Sequence, residues 1–245
     1  MQREVVASVE KPSAPEIQGC ESALAEQSGL ELKPKAKACP SDEMIGLHIP
    51  IQNGILRIPA NVSEIFDGQF AGRKDIVAIE FEVPILLQTI GRAAFCDCSN
   101  LRQIRFPMKM PLIKIGEDAF RRCAALESLD LPNGVEQLGD NAFSQCGDLA
   151  ELQLPPTLTR IGAGAFSLCF RLKRVVIPLQ VCTIGPEAFY LSQSKGQYIA
   201  LDFGGREDFT GIDRGVLRES RHCPVCGKPR TLLRFRQCSC GAKLT

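Results

Sequence analysis

The sequence predicts an α/β repeat fold: a solenoid of short units, each running strand, bend, short helix, bend, with a small metal-tied module at its end. Three observations carry this. Phenylalanines stand at 70, 95, 120, 143, 166 and 189, in steps of 25, 25, 23, 23 and 23 residues, and a period in this range marks stacked supersecondary units. The copies around Phe95, Phe120, Phe143 and Phe166 repeat the same glycine, cysteine and apolar positions, with Phe70 a blurred first copy. Beyond the last copy stand two close cysteine pairs with the spacing of a zinc site.

The 245 residues suffice for one repeat domain and a small module, and an apolar content of 44% is ordinary for a globular protein. No apolar run approaches the ~18 residues that suggest a membrane span. The first ten residues carry charge rather than the apolar core of a signal peptide. These features, and twelve cysteines placed in columns and clusters rather than in a secreted-type framework, predict a reducing cytoplasmic or nuclear setting with no membrane partner. The net charge of +1 hides a polarity, with residues 1–43 at net -3 and residues 214–245 at net +7.

Residues 1–43 are rich in Pro, Glu, Lys, Ala and Ser without a sustained apolar period, so they read as a disordered tail. The solenoid occupies residues 44–205, about six units with an atypical first and last. Its opening, residues 47–49 and 55–58 around Gln52-Asn53-Gly54, carries the Asn-Gly signal of a hairpin and reads as a cap. His48 beside it reads as a packing or surface residue. Within a unit, Leu149, Leu152 and Leu154 alternate with polar neighbours as a half-buried strand does. The proline that follows ends it. An Ile-Gly pair then permits a bend, and residues 117–122, with acids first and arginines last, suit one or two helical turns. A single unit buries too little to offset its ordering entropy, so the copies need one another.

Two column types bear on function. Cys98, Cys123, Cys146 and Cys169 recur at one position. Stacked at strand spacing they lie within disulfide reach, but the favoured reading is buried thiols that fill the turn and hydrogen-bond its backbone. Cys96 and Cys182 read as isolated. On the strand, Glu80, Arg105, Asp130, Gln153 and Val176 form an outward column beside Ala78, Gln103, Ser128, Glu151 and Arg174. Glu80 with Arg105, or Arg105 with Asp130, fall within pairing range. The first of these columns is the candidate protein-binding surface.

The phrase Ile161-Gly162-Ala163-Gly164-Ala165-Phe166-Ser167-Leu168-Cys169-Phe170-Arg171-Leu172 resembles the BspA-like class of leucine-rich repeats. The likeness covers about residues 50–203. It implies a right-handed leucine-rich-repeat solenoid with a parallel sheet on one face and, for many relatives, surface attachment or adhesion.

Past Phe189 the pattern degrades, although residues 198–203 still read as a strand, as a terminal unit should. Residues 206–245 are a linker and a zinc-ribbon-like module: Cys223-Pro224-Val225-Cys226-Gly227 and Cys238-Ser239-Cys240-Gly241. Cys223, Cys226, Cys238 and Cys240 are the predicted ligands of a structural Zn²⁺, with His222 an alternative to one thiolate. No nucleophile motif, phosphate-binding loop or paired carboxylates appear, so the chain reads as non-enzymatic. The leading function is an intracellular protein-interaction scaffold of unknown partner. The alternatives are a nucleic-acid-associated protein using Arg218, Arg221, Lys228, Arg230, Arg234 and Arg236, and a cell-surface adhesion protein.

Overall fold

The computed structural model describes residues 49–190, 199–204, 211–212 and 216. The predicted tail, His48, His222 and the four proposed zinc ligands lie outside the described residues.

Strand β1 (Ile51–Gln52) pairs antiparallel with β2 (Ile55–Ile58) across Asn53 and Gly54. Their φ values of 51° and 76° are those a two-residue hairpin of the I′ type requires. The outer strand therefore starts later than the predicted residues 47–49, of which Ile49 is described and buried. From β3 (Glu64–Ile65) the strands alternate between two stacks: β4 (Ala78–Phe81), β5 (Thr89–Ile90), β6 (Gln103–Arg105), β7 (Lys114–Ile115), β8 (Ser128–Asp130), β9 (Gln137–Leu138), β10 (Glu151–Gln153), β11 (Arg160–Ile161), β12 (Arg174–Val176), β13 (Thr183–Ile184) and β14 (Ala200–Asp202). The even-numbered strands, with β1, form a first sheet in three pieces, β1-β2-β4-β6, β8-β10 and β12-β14. The odd-numbered strands from β3 form a continuous second sheet of six. Apart from the hairpin all pairings are parallel.

The structure corrects the α/β expectation. Between residues 49 and 190 there is no helix, and two parallel sheets replace one. Residues 117–122, expected as helical turns, form a corner in which alternate amides leave their own turn. The N–H groups of Asp118, Phe120 and Arg122 donate to the carbonyls of Asp140, Ala142 and Ser144 in the next turn at 2.8–2.9 Å. The N–H groups of Ala119, Arg121 and Cys123 close local turns instead. A helix would send every amide to the carbonyl four residues back. The alternation needs a left-handed residue on each side of the phenylalanine: Ala93 and Asp97, Asp118 and Arg122, Asn141 and Gln145, Gly164 and Leu168 all have φ between 52° and 64°.

The core lies between the sheets and under these corners. Phe70, Phe95, Phe120, Phe143, Phe166 and Phe189 stack with centroids 5.0–5.6 Å apart and planes within 12° of parallel. Gly91, Gly116, Gly139, Gly162 and Gly185 explain how the turns come so close. A Cβ at Gly139 would sit 2.5 Å from the Glu117 nitrogen, and one at Gly116 would sit 2.7 Å from the Gly91 carbonyl carbon. The bare α-carbon is needed for the approach of the preceding turn rather than for a bend of its own.

Three substitutions test this packing. Phe143→Ala, at a fully buried site, is expected to lower unfolding free energy in urea by about 3–5 kcal/mol. Gly139→Ala is expected to destabilise strongly. Gly147→Ala, whose added Cβ meets only a Phe170 ring carbon at 3.7 Å, should leave the urea midpoint nearly unchanged.

Candidate functional site

The outward column predicted from the period is present on the first sheet. Arg57 aligns with Glu80, Glu80 with Arg105, Asp130 with Gln153, and Val176 with Asp202. The central residue of each strand points into the core while its neighbours face solvent, the period-2 geometry of a pleated strand.

Pairing along the column differs in part from expectation. Glu80 is the hub. Arg105 Nη1 reaches its Oε1 at 2.7 Å and Arg57 Nε its Oε2 at 3.1 Å. Arg105 also donates to Gln103 Oε1 at 3.2 Å. The anticipated Arg105–Asp130 pair does not form, because the guanidinium is committed to Glu80 and Gln103, and β6 and β8 are not laddered to each other. Asp130 and Gln153 have no side-chain partner among the described residues. Val176 is 55% exposed. Two positions missed from the sequence complete the column. Arg57 stands one period of 23 residues before Glu80, a spacing that identifies it. Asp202 accepts from Arg174 at 2.6 Å, but it stands 26 residues after Val176, off the regular step. Exposed pairs of this kind each contribute only about 0–1 kcal/mol, so they set register and surface pattern more than stability. Bases and acids alternate here, unlike the continuous basic surface that a phosphate backbone needs.

The cysteine column is structural. Cys98, Cys123, Cys146 and Cys169 are free and buried. Each Sγ donates to the carbonyl of the preceding turn's phenylalanine, at 3.1 Å to Phe70, 3.3 Å to Phe95, 3.4 Å to Phe120 and 3.3 Å to Phe143. Burial pushes the thiols of Cys98 and Cys169 up to about 12 and those of Cys123 and Cys146 well above the ordinary value. Burial, with the neighbouring Asp97 carboxylate, raises Cys96 to about 11. None offers a thiolate near neutral pH. Cys182 Sγ lies 3.4 Å from the carbonyl oxygen of Gln180. Among the described residues no group of three His, Cys, Asp or Glu could hold a metal ion, and no helix is long and apolar enough to cross a membrane.

The repeats match the model of the BspA type leucine rich repeat region in six copies over residues 63–195. The chain belongs to this family. Among solved structures, this BspA-type chain is 29% identical to a leucine rich cell surface protein of Faecalibacterium prausnitzii A2-165, over 62% of this chain and 39% of that one, with a TM-score of 0.53. It is 24% identical to the T. pallidum leucine rich repeat protein, over 54% and 69% of the two chains, with a TM-score of 0.48. A leucine-rich repeat protein of Bacteroides ovatus ATCC 8483 is 25% identical over 65% and 50%, with a TM-score of 0.41. The chain thus spans 39% of the first of these proteins and 50% of the last. No curated protein matches it.

The raised thiols make stability depend on pH with a definite sign. The folded state keeps its thiol protons, while the unfolded chain releases them near the ordinary value of 9.0. Stability is therefore expected to be insensitive to these groups below that pH and to fall as pH rises through it. Urea titrations from neutral to alkaline pH check this. Replacing Cys123 and Cys146 with Ala should lessen the alkaline slope by up to about two protons.

Proposed function

We propose that the BspA-type array is a non-enzymatic scaffold that binds a protein partner through the outward face of its first sheet. The observation that carries this reading is the contrast along one column. Glu80 pairs with both Arg57 and Arg105, whereas Asp130, Gln153 and the exposed Val176 present an acid, an amide and an apolar group with no partner among the described residues. These groups stand on strands whose inner residues are locked in the core, so a partner would meet a surface that is already ordered. The intracellular setting is our reading of the sequence alone.

A second reading is favoured by one specific observation, the 29% identity to a protein described as a cell surface protein. On that reading the same face would meet an extracellular partner. Structural zinc at Cys223, Cys226, Cys238 and Cys240 remains a proposal on spacing alone.

One measurement tests the binding face and a second separates the two readings. A partner captured by the wild type is expected to be lost with Asp130→Lys/Val176→Glu and retained with Lys114→Glu on the second sheet. Loss with neither variant would remove the first-sheet face from consideration. Labelling of intact cells with a membrane-impermeant amine reagent should leave the chain unmodified if it is intracellular. For the module, the purified full chain should hold about one zinc after dialysis against metal-free buffer, and Cys223→Ser/Cys226→Ser should hold none.

A further inference from the structure

The second sheet is one ladder of six strands, but the first sheet is three plates, β1-β2-β4-β6, β8-β10 and β12-β14. Two seams separate the plates, one between β6 and β8 and one between β10 and β12.

Hydrogen bonds, burial and ion pairs all change at these two places. Where β8 runs into its loop, the N–H of Leu131 donates to the Gln153 carbonyl at 3.3 Å, and after β12 that of Ile177 donates to the Asp202 carbonyl at 2.7 Å. The equivalent residues at the seams are Phe106 and Leu154. Among the described residues, neither of their N–H groups meets an acceptor. The side chains follow the backbone, since Leu131 and Ile177 are buried while Phe106 and Leu154 are only half-buried. Phe106 stacks on Phe81, within its own plate, with ring centroids 5.3 Å apart. The ion pairs of the outward column also stay inside plates, Arg57 and Arg105 with Glu80 in the first and Arg174 with Asp202 in the third.

Each seam is fastened at its other end, where the chain arrives from the corner. At the first, the Glu127 N–H donates to the Arg102 carbonyl at 3.2 Å and the two side chains pair at 3.7 Å. At the second, Arg171 reaches Asp148 at 3.4 Å. Behind both seams the second sheet is unbroken, with Gly139 donating back to Ile115 at 2.8 Å and Gly185 to Ile161 at 2.9 Å. Strands tied at one end and lacking ladder bonds at the other are placed to open locally.

We infer that the first sheet is a jointed surface, whose plates rock about the two fastened seams against the continuous second sheet and so change the curvature of the outward face. Each plate stays ordered within itself, as a shear or hinge motion requires. Asp130 and Gln153 ride on the middle plate and Val176 on the last, so movement at the second seam alters the spacing between them. The motion is independent of what the face binds; its use, in fitting these groups to a partner, rests on the function proposed above.

Amide exchange and NMR relaxation dispersion on the full chain test the joints. The amides of Phe106 and Leu154 are expected to exchange at least about tenfold faster than those of Leu131 and Ile177. Dispersion on the microsecond-to-millisecond scale of such motions is expected at residues 104–106 and 129–131 beside the first seam and at residues 152–154 and 175–177 beside the second. The second-sheet amides of Gly139 and Gly185 should show none. Arg105→Cys/Asp130→Cys places two thiols one strand apart at the free end of the first seam, within disulfide reach. Its oxidised form should lose the dispersion at the first seam and keep it at the second, and reduction should restore it. Equal protection of the four amides, or fast exchange without dispersion, which marks a static gap, would overturn the inference, as would dispersion at the first seam that persists in the oxidised variant. If the double variant fails to fold, the wild-type dispersion decides. None of these readouts needs a partner, so their failure leaves the binding face standing, and loss of the binding face leaves the joints standing.

Discussion

Everything in the solenoid follows from how near one turn comes to the next. The glycine column lets backbones meet at the corner without a Cβ between them, and this holds the turns close to the ~4.7–4.9 Å spacing of strands in a sheet. At that spacing the phenylalanine rings have no room to turn edge-on, so they stack nearly parallel at 5.0–5.6 Å, although isolated aromatic pairs also favour tilted geometries. The same spacing brings each cysteine thiol under the carbonyl of the preceding phenylalanine. A single turn has none of these contacts, which is why stability belongs to the stack.

The period, the aromatic column, the buried thiols, the first-sheet strands and the Asn-Gly hairpin were legible because each rests on a residue type with one dominant use. The corner was not. Its acids before Phe120 and arginines after it imitate the charge pattern of a short helix, and its left-handed positions are filled by Ala93, Asp97, Asp118, Arg122, Gln145, Leu168 and Glu187 as well as by glycine. Non-glycine residues rarely adopt this conformation, so nothing local announces it. What enforces it is the ladder to the next turn, which a reading of one unit does not contain. The second sheet escaped notice for a related reason, since strands of two residues are too short to show alternation.

On the candidate face the limit is different. Inward positions repeat because packing demands it, while outward positions vary freely, so any functional information lies where the sequence is least periodic. Register placed Glu80, Arg105, Asp130, Gln153 and Val176 in one column. It could not say which acid each arginine would choose. That choice depends on side-chain reach and on Gln103, and it leaves Asp130 open while Glu80 is clamped twice.

The two longer steps of the repeat show how the array absorbs variation without losing its spacing. The extra residues fall in the loops leaving the first sheet, residues 82–88 and 107–113, where the later turns have shorter connections. Second-sheet pairing is undisturbed, with Ile65, Ile90, Ile115 and Leu138 still aligned. Ile85 and Met110 anchor the loops in the core, and the added length is pushed outward, leaving Val83, Leu86 and Met108 at 69%, 57% and 74% exposure. Stacking tolerates insertion only where the chain can move away from its neighbour. The glycine corner cannot do so and the loop can, so divergence in length collects at the loops while the corners stay at one spacing.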